Sequence, residues 1–303
     1  MIICIGAFDG YHRGHVALFE KARSLAERMG TEWRLLTFEP HPRFVLGGLS
    51  ARLFSDQEKG FLRKVCDIPV PIEIHFTKEF AGTEPGVFLD EVCDRLPVTG
   101  IVVGEEFRFG RGRSGDRTFL RQYCSQNDMR LELVPQLLYD SAPISSSRVR
   151  EAVCRGELPL AAELLGYPYF MCAPVINGEK RGRTLGYPTA NLSCASEKLL
   201  PDEGVYAGAA WLGNWVPAAV SLGSNPTFFE DGKVRIEAHL LGFSGDLYGK
   251  KLFLALLRRM RPMRKFYGTD ALKDQLRQDC LFVQKIFSAE KIRLSIFERG
   301  LVE

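Results

Sequence analysis

The densest group of residues with a chemical use is the decapeptide GAFDGYHRGH at positions 6–15. It follows the apolar run 2–5, which predicts a buried strand, and it precedes apolar residues at helical spacing from Val16 onward. In open α/β sheets, ligands bind beyond the carboxyl ends of the strands, where a helix N-terminus offers free N–H groups to a phosphate. We therefore expect His12 and His15 to hydrogen-bond phosphate oxygens from the first helical turn and to stabilise the charge that develops on them.

The same two histidines allow a plainer interpretation, in which they cap the helix and bind no ligand. A metal pair is the weakest alternative, because the segment offers no further metal-ligand pattern such as HExxH.

A second candidate anion site is the segment ISSSRVR at residues 144–150, which runs into a predicted helix. Hydroxyl groups at a helix start serve as N-caps, and this role alone accounts for the serines. The guanidinium groups of Arg148 and Arg150, together with the hydroxyls and the free N–H groups, form an anion site. The local sequence leaves both interpretations open.

In the second half, residues 178–191 (GEKRGRTLGYPTAN) form a glycine-rich basic loop that ends in Thr189 and Asn191. A hydroxyl and an amide are oxygen ligands that Mg²⁺ accepts. A flexible surface loop has a similar composition, so this alternative stays open.

In the predicted strand 234–241, apolar and polar residues alternate, so Glu237 shares a polar face with Arg235 and His239. On such a face, we expect these two neighbours to keep the carboxylate ionised through opposing charge and hydrogen bonding. A solvent-exposed outer face produces the same alternation, which therefore does not decide between a site and a surface.

Residues 110–115, GRGRSG, match the GxGxxG fingerprint of dinucleotide-binding folds. We reject this interpretation, because residues 105–109 separate the match from its strand and its arginines suit a mobile basic loop. The chain contains no GxxxxGK[ST] phosphate loop, so an ATP site has to be of another kind.

The two halves of the chain differ in pattern. Up to residue 165, predicted strands alternate with helical segments, which is typical of a parallel sheet covered by helices. From about residue 168, strands separated by turns predict a sandwich or small barrel, followed by an amphipathic helix over 270–287. We place the domain boundary between residues 166 and 167. The predicted strands are 2–5, 33–38, 101–103 and 131–134 in the first half and 205–211, 215–222, 234–241 and 252–257 in the second.

Composition narrows the class of protein. At roughly 150 residues per domain, 303 residues favour two domains, and 46% hydrophobic residues exclude a mainly disordered chain. A net charge of +3 indicates neither nucleic acid nor an anionic membrane as a partner. There is no apolar run of membrane-spanning length, no basic signal-peptide start and no CxxC pair among the eight cysteines. We therefore expect a cytoplasmic protein with reduced cysteines, either a monomer or a weak homo-oligomer.

Taken together, the motifs resemble those of the bacterial bifunctional riboflavin kinase/FMN adenylyltransferases, also called FAD synthetases. The resemblance covers nearly the whole chain, in the order found in the family. The matching segments are GAFDGYHRGH, FEPHP (38–42), VVGEEFRFG (102–110), ISSSRVR, GRTLGYPTAN (182–191), SNPTF (224–228) and IEAHLLGF (236–243).

The resemblance implies an α/β plus all-β chain with two activities. An N-terminal Rossmann-like parallel sheet of the nucleotidyltransferase type transfers AMP from ATP to FMN. A C-terminal six-stranded flavokinase β-barrel with a C-terminal helix phosphorylates riboflavin with ATP. The implied small-molecule substrates are ATP, riboflavin and FMN, and the implied cofactor is Mg²⁺.

The resemblance also implies residue roles at the positions that match. The implied catalytic residues are His12, His15, Ser146, Ser147 and Arg150 for adenylylation and Glu237 as the base of the kinase. The residues implied to bind ATP or FMN in the first domain are Gly6, Phe8, Asp9, Gly14, His41, Glu106 and Arg148. Those implied to bind ATP or riboflavin in the kinase domain are Gly182, Gly186, Pro188, Asn191 and Asn225, with Thr189 and Asn191 as Mg²⁺ ligands.

This chain departs from the family pattern at a few positions. Glu106 stands where the family usually has Asn or Asp, and Ser147 replaces a usual Thr but keeps the hydroxyl. The alternative functions are a riboflavin kinase with an impaired or regulatory N-terminal nucleotide-binding domain, and a non-catalytic flavin-binding protein. The intact histidine pair and Arg150 disfavour the first, and the second is expected to lose Glu237 or Thr189.

Overall fold

The computed structural model describes residues 1–178, 182, 185–223 and 234–301. The chain divides into two compact units, the first formed by Met1–Arg52 and Cys66–Ser146 and the second by Leu53–Val65 and Ser147–Glu303. The segment Leu53–Val65 therefore belongs to the second unit, although residues of the first unit precede and follow it in sequence. Among the described residues, no helix combines the length and the apolar character that crossing a membrane requires.

The first unit is built on a five-stranded parallel sheet, as the sequence predicted. Its strands are β1 (Ile2–Ile5), β2 (Trp33–Glu39), β3 (Ile72–His75), β4 (Gly100–Gly104) and β5 (Arg130–Val134). The two central strands, β1 and β4, are continuous buried apolar runs, because the sheet is covered on both faces at this point. Sequence analysis missed β3, a four-residue strand that follows Pro69 and Pro71 and carries polar residues at alternate positions.

Helices connect the strands of the first unit, and further helices belong to the second unit. The helices of the described chain are α1 (Arg13–Arg28), α2 (Pro42–Val45), α3 (Asp56–Val65), α4 (Pro85–Arg95), α5 (Arg117–Gln126), α6 (Ser146–Cys154), α7 (Leu158–Leu165), α8 (Thr269–Leu294) and α9 (Glu298–Leu301). Short 3₁₀ turns lie at Phe80–Gly82, Arg111–Arg113 and Ser295–Phe297, and the two-residue strands β6 (Leu138–Tyr139) and β7 (Ala142–Pro143) pair with each other.

The strand order β3-β2-β1-β4-β5 creates a topological switch point between β1 and β4. From β1 the chain moves outward through β2 and β3, and it then returns to the other side of β1 to form β4 and β5. Connections that leave two neighbouring parallel strands in opposite directions open a crevice at their carboxyl ends. The loops after β1 and β4, at residues 6–12 and 105–110, border this crevice.

The second unit is a closed antiparallel barrel of six strands in the order β10-β11-β12-β9-β8-β13. The strands are β8 (Tyr169–Ile176), β9 (Ala190–Leu192), β10 (Gly204–Trp211), β11 (Trp215–Gly223), β12 (Arg235–Leu240) and β13 (Lys251–Arg261). The alternation predicted for β12 is confirmed, since Ile236, Ala238 and Leu240 are buried. Sequence analysis missed β8, which contains a proline at residue 174, and β9, which has only three residues.

The C-terminal helix is longer than the sequence predicted. We expected a helix over 270–287, whereas α8 continues to Leu294. The helix continues because its buried face does, with Val283, Ile286 and finally Leu294 packed inside. No proline or glycine interrupts this stretch.

A fully buried ion pair ties the segment Leu53–Val65 to the barrel. The Lys198 ammonium group lies 2.9 Å from Glu58 Oε2, 2.8 Å from the carbonyl oxygen of Leu53 and 2.9 Å from that of Phe170. The two charged side chains are 2% and 3% exposed. All three ammonium hydrogens therefore have an acceptor, which is the condition under which a buried charge is tolerated.

Glu58 also organises the start of α3 and reaches the first barrel strand. Its carboxylate accepts from the backbone N–H of Ser55 at 2.8 Å, while Ser55 Oγ accepts from the N–H of Glu58 at 3.3 Å, which makes a capping box. The other carboxylate oxygen accepts from the N–H of Cys172 in β8 at 2.8 Å. One side chain thus caps a helix, pairs a buried cation and satisfies a strand amide.

Replacing Glu58 with Gln is expected to lower the free energy of unfolding by about 3 kcal/mol or more, because it leaves the Lys198 ammonium buried without its counterion. Urea unfolding of the full chain measures the change. The matched control is Glu151→Gln, which removes an exposed ion pair with Arg155 and should cost less than about 1 kcal/mol. Equal effects of the two variants would show that the buried pair has no special weight.

Candidate active sites

The first candidate site is the loop that leaves β1 at the switch point. Its backbone enters the left-handed region at Phe8 (φ 40°), Gly10 (φ 89°) and Tyr11 (φ 37°). This conformation is unfavourable for the two aromatic residues and is maintained by their burial, since both rings pack edge-on against Phe19 at 5.1 and 5.7 Å between centroids. The loop is therefore held in one shape by the core beneath it before any ligand binds.

His12 is the N-cap of α1. Its Nδ1 accepts a hydrogen bond from the backbone N–H of His15 at 3.3 Å. An Nδ1 that accepts cannot carry a hydrogen, so the neutral ring has its hydrogen on Nε2. The rings of His12 and His15 stack at 3.6 Å between centroids with 17° between planes. The structure thus brings the two predicted histidines into direct contact, with His12 capping the helix as well.

Burial keeps both imidazoles neutral. It lowers the pKa of His12 from the usual 6.5 to about 4, against a smaller opposing effect of the Asp9 carboxylate. Burial likewise holds the pKa of His15 well below its usual value, reinforced by His12 and His41. The Nδ1 atom of His15 is also buried, with no hydrogen-bond partner among the described residues. Two neutral rings supply N–H donors rather than positive charge to whatever binds here.

The segment ISSSRVR meets the histidine loop through its first helical residue. Ser146 Oγ donates to the carbonyl oxygen of Asp9 at 2.9 Å, across 137 residues of sequence. Gly14 leaves room for the His12 ring, since a Cβ at this position would stand 3.2 Å from it, closer than an ordinary contact. Sequence reasoning named both motifs but had no signal for this contact, because it depends on tertiary structure.

The remaining residues of that motif lie along α6. Ser147 is exposed, Arg148 is half-buried and Arg150 is 9% exposed. Residues three and four apart share a face of a helix, so Arg150 lies on the same face as Ser146 and Ser147, whereas Arg148 lies on the opposite side.

His41 and Glu106 follow other strands of the same sheet. His41 caps α2, and its Nδ1 accepts from the N–H of Arg43 at 3.1 Å, so its neutral ring also carries the hydrogen on Nε2. Glu106 is exposed in the turn after β4, closed by a hydrogen bond from the N–H of Phe107 to the carbonyl oxygen of Gly104. Both residues therefore lie at the carboxyl edge of the sheet, where the histidine pair lies.

Backbone hydrogen bonds close the basic loop at residues 110–115. Reciprocal backbone hydrogen bonds between Phe109 and Gly115 close it, and a 3₁₀ turn lies between them. The loop follows β4 and leads to the N-cap of α5, Asp116, rather than following β1 as a dinucleotide fingerprint does. This position in the fold agrees with the conclusion from the sequence that GRGRSG is not a dinucleotide-binding fingerprint.

The second candidate site lies on one face of the barrel, where β9 and β12 pair. Glu237 stands directly opposite Asn191 in the antiparallel register. Thr189, two residues before Asn191, donates from Oγ1 to Glu237 Oε2 at 3.4 Å. A hydroxyl, an amide and a carboxylate thus lie close together on this face.

His239 shares the face of Glu237 but bonds elsewhere. Its Nδ1 lies 2.8 Å from the carbonyl oxygen of Pro188, and its ring meets that of Tyr187 edge-on at 5.3 Å. We expected this histidine to hydrogen-bond the carboxylate. The structure directs its Nδ1 instead to the loop that carries Thr189.

The loop before β9 packs closely against the site. The N–H of Tyr187 donates to the carbonyl oxygen of Gly182 at 2.8 Å, and Gly186 lies between them with φ 87°. Gly178, which sequence reasoning did not single out, leaves room for the Asn191 side chain, which a Cβ at this position would displace. Asn225 lies outside the described residues.

The donor set at the second site fits Mg²⁺ better than a transition metal. The described residues contain no cluster of three or more His, Cys, Asp or Glu that could hold a metal by itself. Thr189 and Asn191 instead offer neutral oxygen atoms beside the carboxylate of Glu237. Mg²⁺ characteristically uses few protein ligands and completes its shell with phosphate oxygens and water.

Two family models match the chain. One is described as FAD synthetase and covers residues 1–148, and the other as riboflavin kinase and covers residues 165–287.

Similar whole proteins include the bifunctional riboflavin kinase/FMN adenylyltransferase of Listeria monocytogenes. It is 34% identical, over 92% of this chain and 90% of the relative. The Escherichia coli K12 protein of the same name is 32% identical, over 96% of this chain and 94% of the relative. A crystal structure described as a macrolide-efflux protein from Streptococcus pneumoniae has a TM-score of 0.86 at 30% identity, with 93% of both chains covered.

Stability is expected to fall as the pH drops from 6.5 towards 4, because the unfolded chain then binds a proton at His12 that the folded chain excludes. Each such histidine contributes a slope of up to about 1.4 kcal/mol per pH unit. Urea unfolding at pH 7 and pH 5 should therefore show a loss that His12→Asn reduces by about 2 kcal/mol, since Asn keeps the capping oxygen and does not titrate.

The control for this measurement is His75→Asn, at an exposed position. It should leave the wild-type difference between the two pH values unchanged. If His12→Asn also leaves the difference unchanged, His12 is not excluded from protonation by burial.

Proposed function

The chain belongs to the family of bifunctional riboflavin kinase/FMN adenylyltransferases and has both activities, and we propose that two sequence domains divide them. In this division, residues 1–166 form the FMN adenylyltransferase domain and residues 167–303 the riboflavin kinase domain. These domains differ from the two compact units at residues 53–65 and 147–166, which belong to the second unit. The position of each family match along the chain supports the division. The observation that carries it is that each unit has its own convergent set of motif residues, the histidine pair in one and the Thr189–Glu237 contact in the other.

In the first unit, we propose that the phosphates of ATP bind at the N-terminus of α1. An oxygen of the FMN phosphate attacks the α-phosphorus of ATP, and the bond to the bridging oxygen breaks, which releases pyrophosphate and forms FAD. The Nε2–H group of His12 and the ring of His15 bind the phosphate oxygens on which charge develops. Because both rings are neutral, we assign the positive charge opposing the phosphates to Arg150, with Ser147 as a further donor. Ser146 joins the two motifs, since its hydroxyl donates to the carbonyl oxygen of Asp9.

The residues that surround this proposed site have binding roles rather than chemical ones. The loop shaped by Phe8 and Gly10 lets the backbone approach the nucleotide closely. The proposed ATP and FMN contacts are Gly6, Phe8, Asp9, Gly14, His41, Glu106 and Arg148.

In the second unit, we propose that Glu237 is the general base. The riboflavin 5′-hydroxyl oxygen attacks the γ-phosphorus of ATP, its proton passes to the Glu237 carboxylate, and ADP leaves. Mg²⁺, when bound, neutralises charge on the phosphates, and Thr189 and Asn191 are the residues that would hold it. Gly182, Gly186, Pro188 and Asn225 complete the proposed ATP and riboflavin contacts.

We also propose a cytoplasmic enzyme that acts on small molecules without a nucleic-acid or membrane partner, as a monomer or weak homo-oligomer. All eight cysteines are free, and burial raises the pKa of several of them, to about 11 for Cys66, Cys124 and Cys194. Unpaired, unreactive thiols suit a reducing compartment. The near balance of 40 basic and 37 acidic residues gives no electrostatic basis for nucleic-acid binding.

The direct test is to incubate the purified chain with riboflavin, ATP and Mg²⁺ and to separate FMN from FAD over time. FMN should appear first and FAD afterwards. FMN without FAD would indicate an impaired or regulatory first unit.

Crossed variants should separate the two activities. His12→Ala is expected to lower FAD formation from supplied FMN about 100- to 1000-fold and to leave FMN formation from riboflavin intact, because it removes one transition-state donor from one unit only. Glu237→Gln is expected to do the reverse, lowering FMN formation roughly 100- to 10,000-fold. Product chromatography measures both rates, and parallel loss of both activities in either variant contradicts the division.

Arg150→Lys should impair FAD formation although it keeps the charge, because lysine cannot grip two phosphate oxygens with parallel N–H bonds. Arg148→Lys is the matched control on the opposite side of α6 and should matter less. The ratio of FAD formation rates decides the comparison. A larger defect in the Arg148 variant would show that the functional guanidinium belongs to Arg148 and that its assignment to Arg150 is wrong.

A further inference from the structure

Backbone pairing between β9 and β12 stops next to Thr189. The register pairs Leu192 with Ile236, Asn191 with Glu237 and Ala190 with Ala238, and it ends there. Two positions beyond Ala190, on the far side of Thr189, the chain contains Pro188, which has no N–H group to donate to a neighbouring strand. Thr189 is therefore anchored by the sheet on its C-terminal side only.

The His239 side chain supplies the missing anchor on the other side. It follows Glu237 by two residues, so the two side chains lie on the same face of β12. Its Nδ1 stands 2.8 Å from the carbonyl oxygen of Pro188, the peptide that links directly to Thr189. The edge-on contact with Tyr187, at 5.3 Å between ring centroids, holds the imidazole against the same loop.

The partner of this nitrogen determines where the ring carries hydrogen. A carbonyl oxygen only accepts hydrogen bonds, so Nδ1 of His239 has to be the donor and bears a hydrogen. This is the opposite of His12 and His41, whose Nδ1 atoms accept from backbone N–H groups. The Nδ1 hydrogen of His239 is thus donated to a backbone carbonyl and is not shared with Glu237.

We propose that His239 is a positioning residue of the kinase reaction, which holds Thr189 in place for MgATP by donating Nδ1–H to the carbonyl oxygen of Pro188. It acts through the loop and does not touch the reacting atoms. The inference rests on the proposed roles of Thr189 and Glu237. It predicts that loss of the hydrogen bond weakens the use of MgATP more than the binding of riboflavin.

The test compares four side chains at position 239. His239→Leu removes the hydrogen-bond donor and substitutes an apolar side chain of similar bulk. His239→Asn places an amide nitrogen the same number of bonds from the backbone as Nδ1, whereas His239→Gln places it where Nε2 would be. Steady-state kinetics of FMN formation with varied MgATP, and riboflavin binding by fluorescence titration without nucleotide, are measured for each variant and for wild type.

His239→Leu should lower kcat/KM for MgATP about 3- to 10-fold, the range expected for one neutral hydrogen bond. His239→Asn should recover most of this loss and His239→Gln little of it. Riboflavin affinity and FAD formation from supplied FMN should stay at wild-type values in all variants. If the Leu variant does not fold, the difference between Asn and Gln alone decides the question.

Equal activity of the Asn and Gln variants, or a matching loss of riboflavin affinity, would overturn the proposal and leave His239 as a packing residue. Thr189→Ala and Glu237→Gln, assayed alongside, separate this failure from failure of the proposed site. If those two variants phosphorylate riboflavin normally, the site assignment is wrong. If they are impaired while Asn gives no rescue at position 239, the positioning role alone is wrong.

Discussion

The Lys198 ammonium group is the constraint on which the second unit depends. A buried cation needs an acceptor for each hydrogen and a nearby negative charge, and here both come from elements distant in sequence: Glu58 and Leu53 from one segment and Phe170 from the first barrel strand. The rings of Phe54 and Tyr169, 4.3 and 4.5 Å from the nitrogen, add cation–π contacts. The barrel therefore cannot complete this corner without residues that precede it by more than a hundred positions.

At the first candidate site, the charge states of the histidines and of Arg150 differ. Burial makes the two stacked histidines neutral, so that they offer N–H groups and impose no mutual repulsion at 3.6 Å between ring centroids. A guanidinium is better suited to carry the permanent charge, because it stays protonated at all relevant pH values. The proposed division of work between the histidines and Arg150 follows from these properties.

Backbone contacts set the tautomers of three histidines, and the direction of each contact matters. His12 and His41 accept at Nδ1 as helix caps, which points an Nε2–H donor outward. His239 donates at Nδ1 to a carbonyl and so holds a loop. The same side chain type caps a helix in one unit and contacts a loop carbonyl in the other, according to the backbone group beside it.

Local pattern in the sequence determined the type of each unit, the strands β1, β2, β4, β5 and β10–β13 except for their ends, and the helices α1, α6 and α8. These elements are visible either as continuous apolar runs, as in β1 and β4, or as apolar residues that repeat at the period of a strand or helix. The motif resemblance likewise determined the two activities and the candidate residues. The short elements β3 and β9 were missed because each contains only two apolar residues, too few to stand out from the surrounding loops.

Only the tertiary structure decided how distant residues meet. The Ser146–Asp9 hydrogen bond, the membership of Leu53–Val65 in the second unit and the turn of His239 towards Pro188 leave no periodic trace in the sequence. Strand alternation placed His239 on the polar face with Glu237, but which acceptor its ring nitrogen reaches depends on where the pairing of β9 ends. Contacts of this kind follow from the packing of whole helices and strands. The local sequence therefore determines the individual elements, and the tertiary fold determines which of their residues meet.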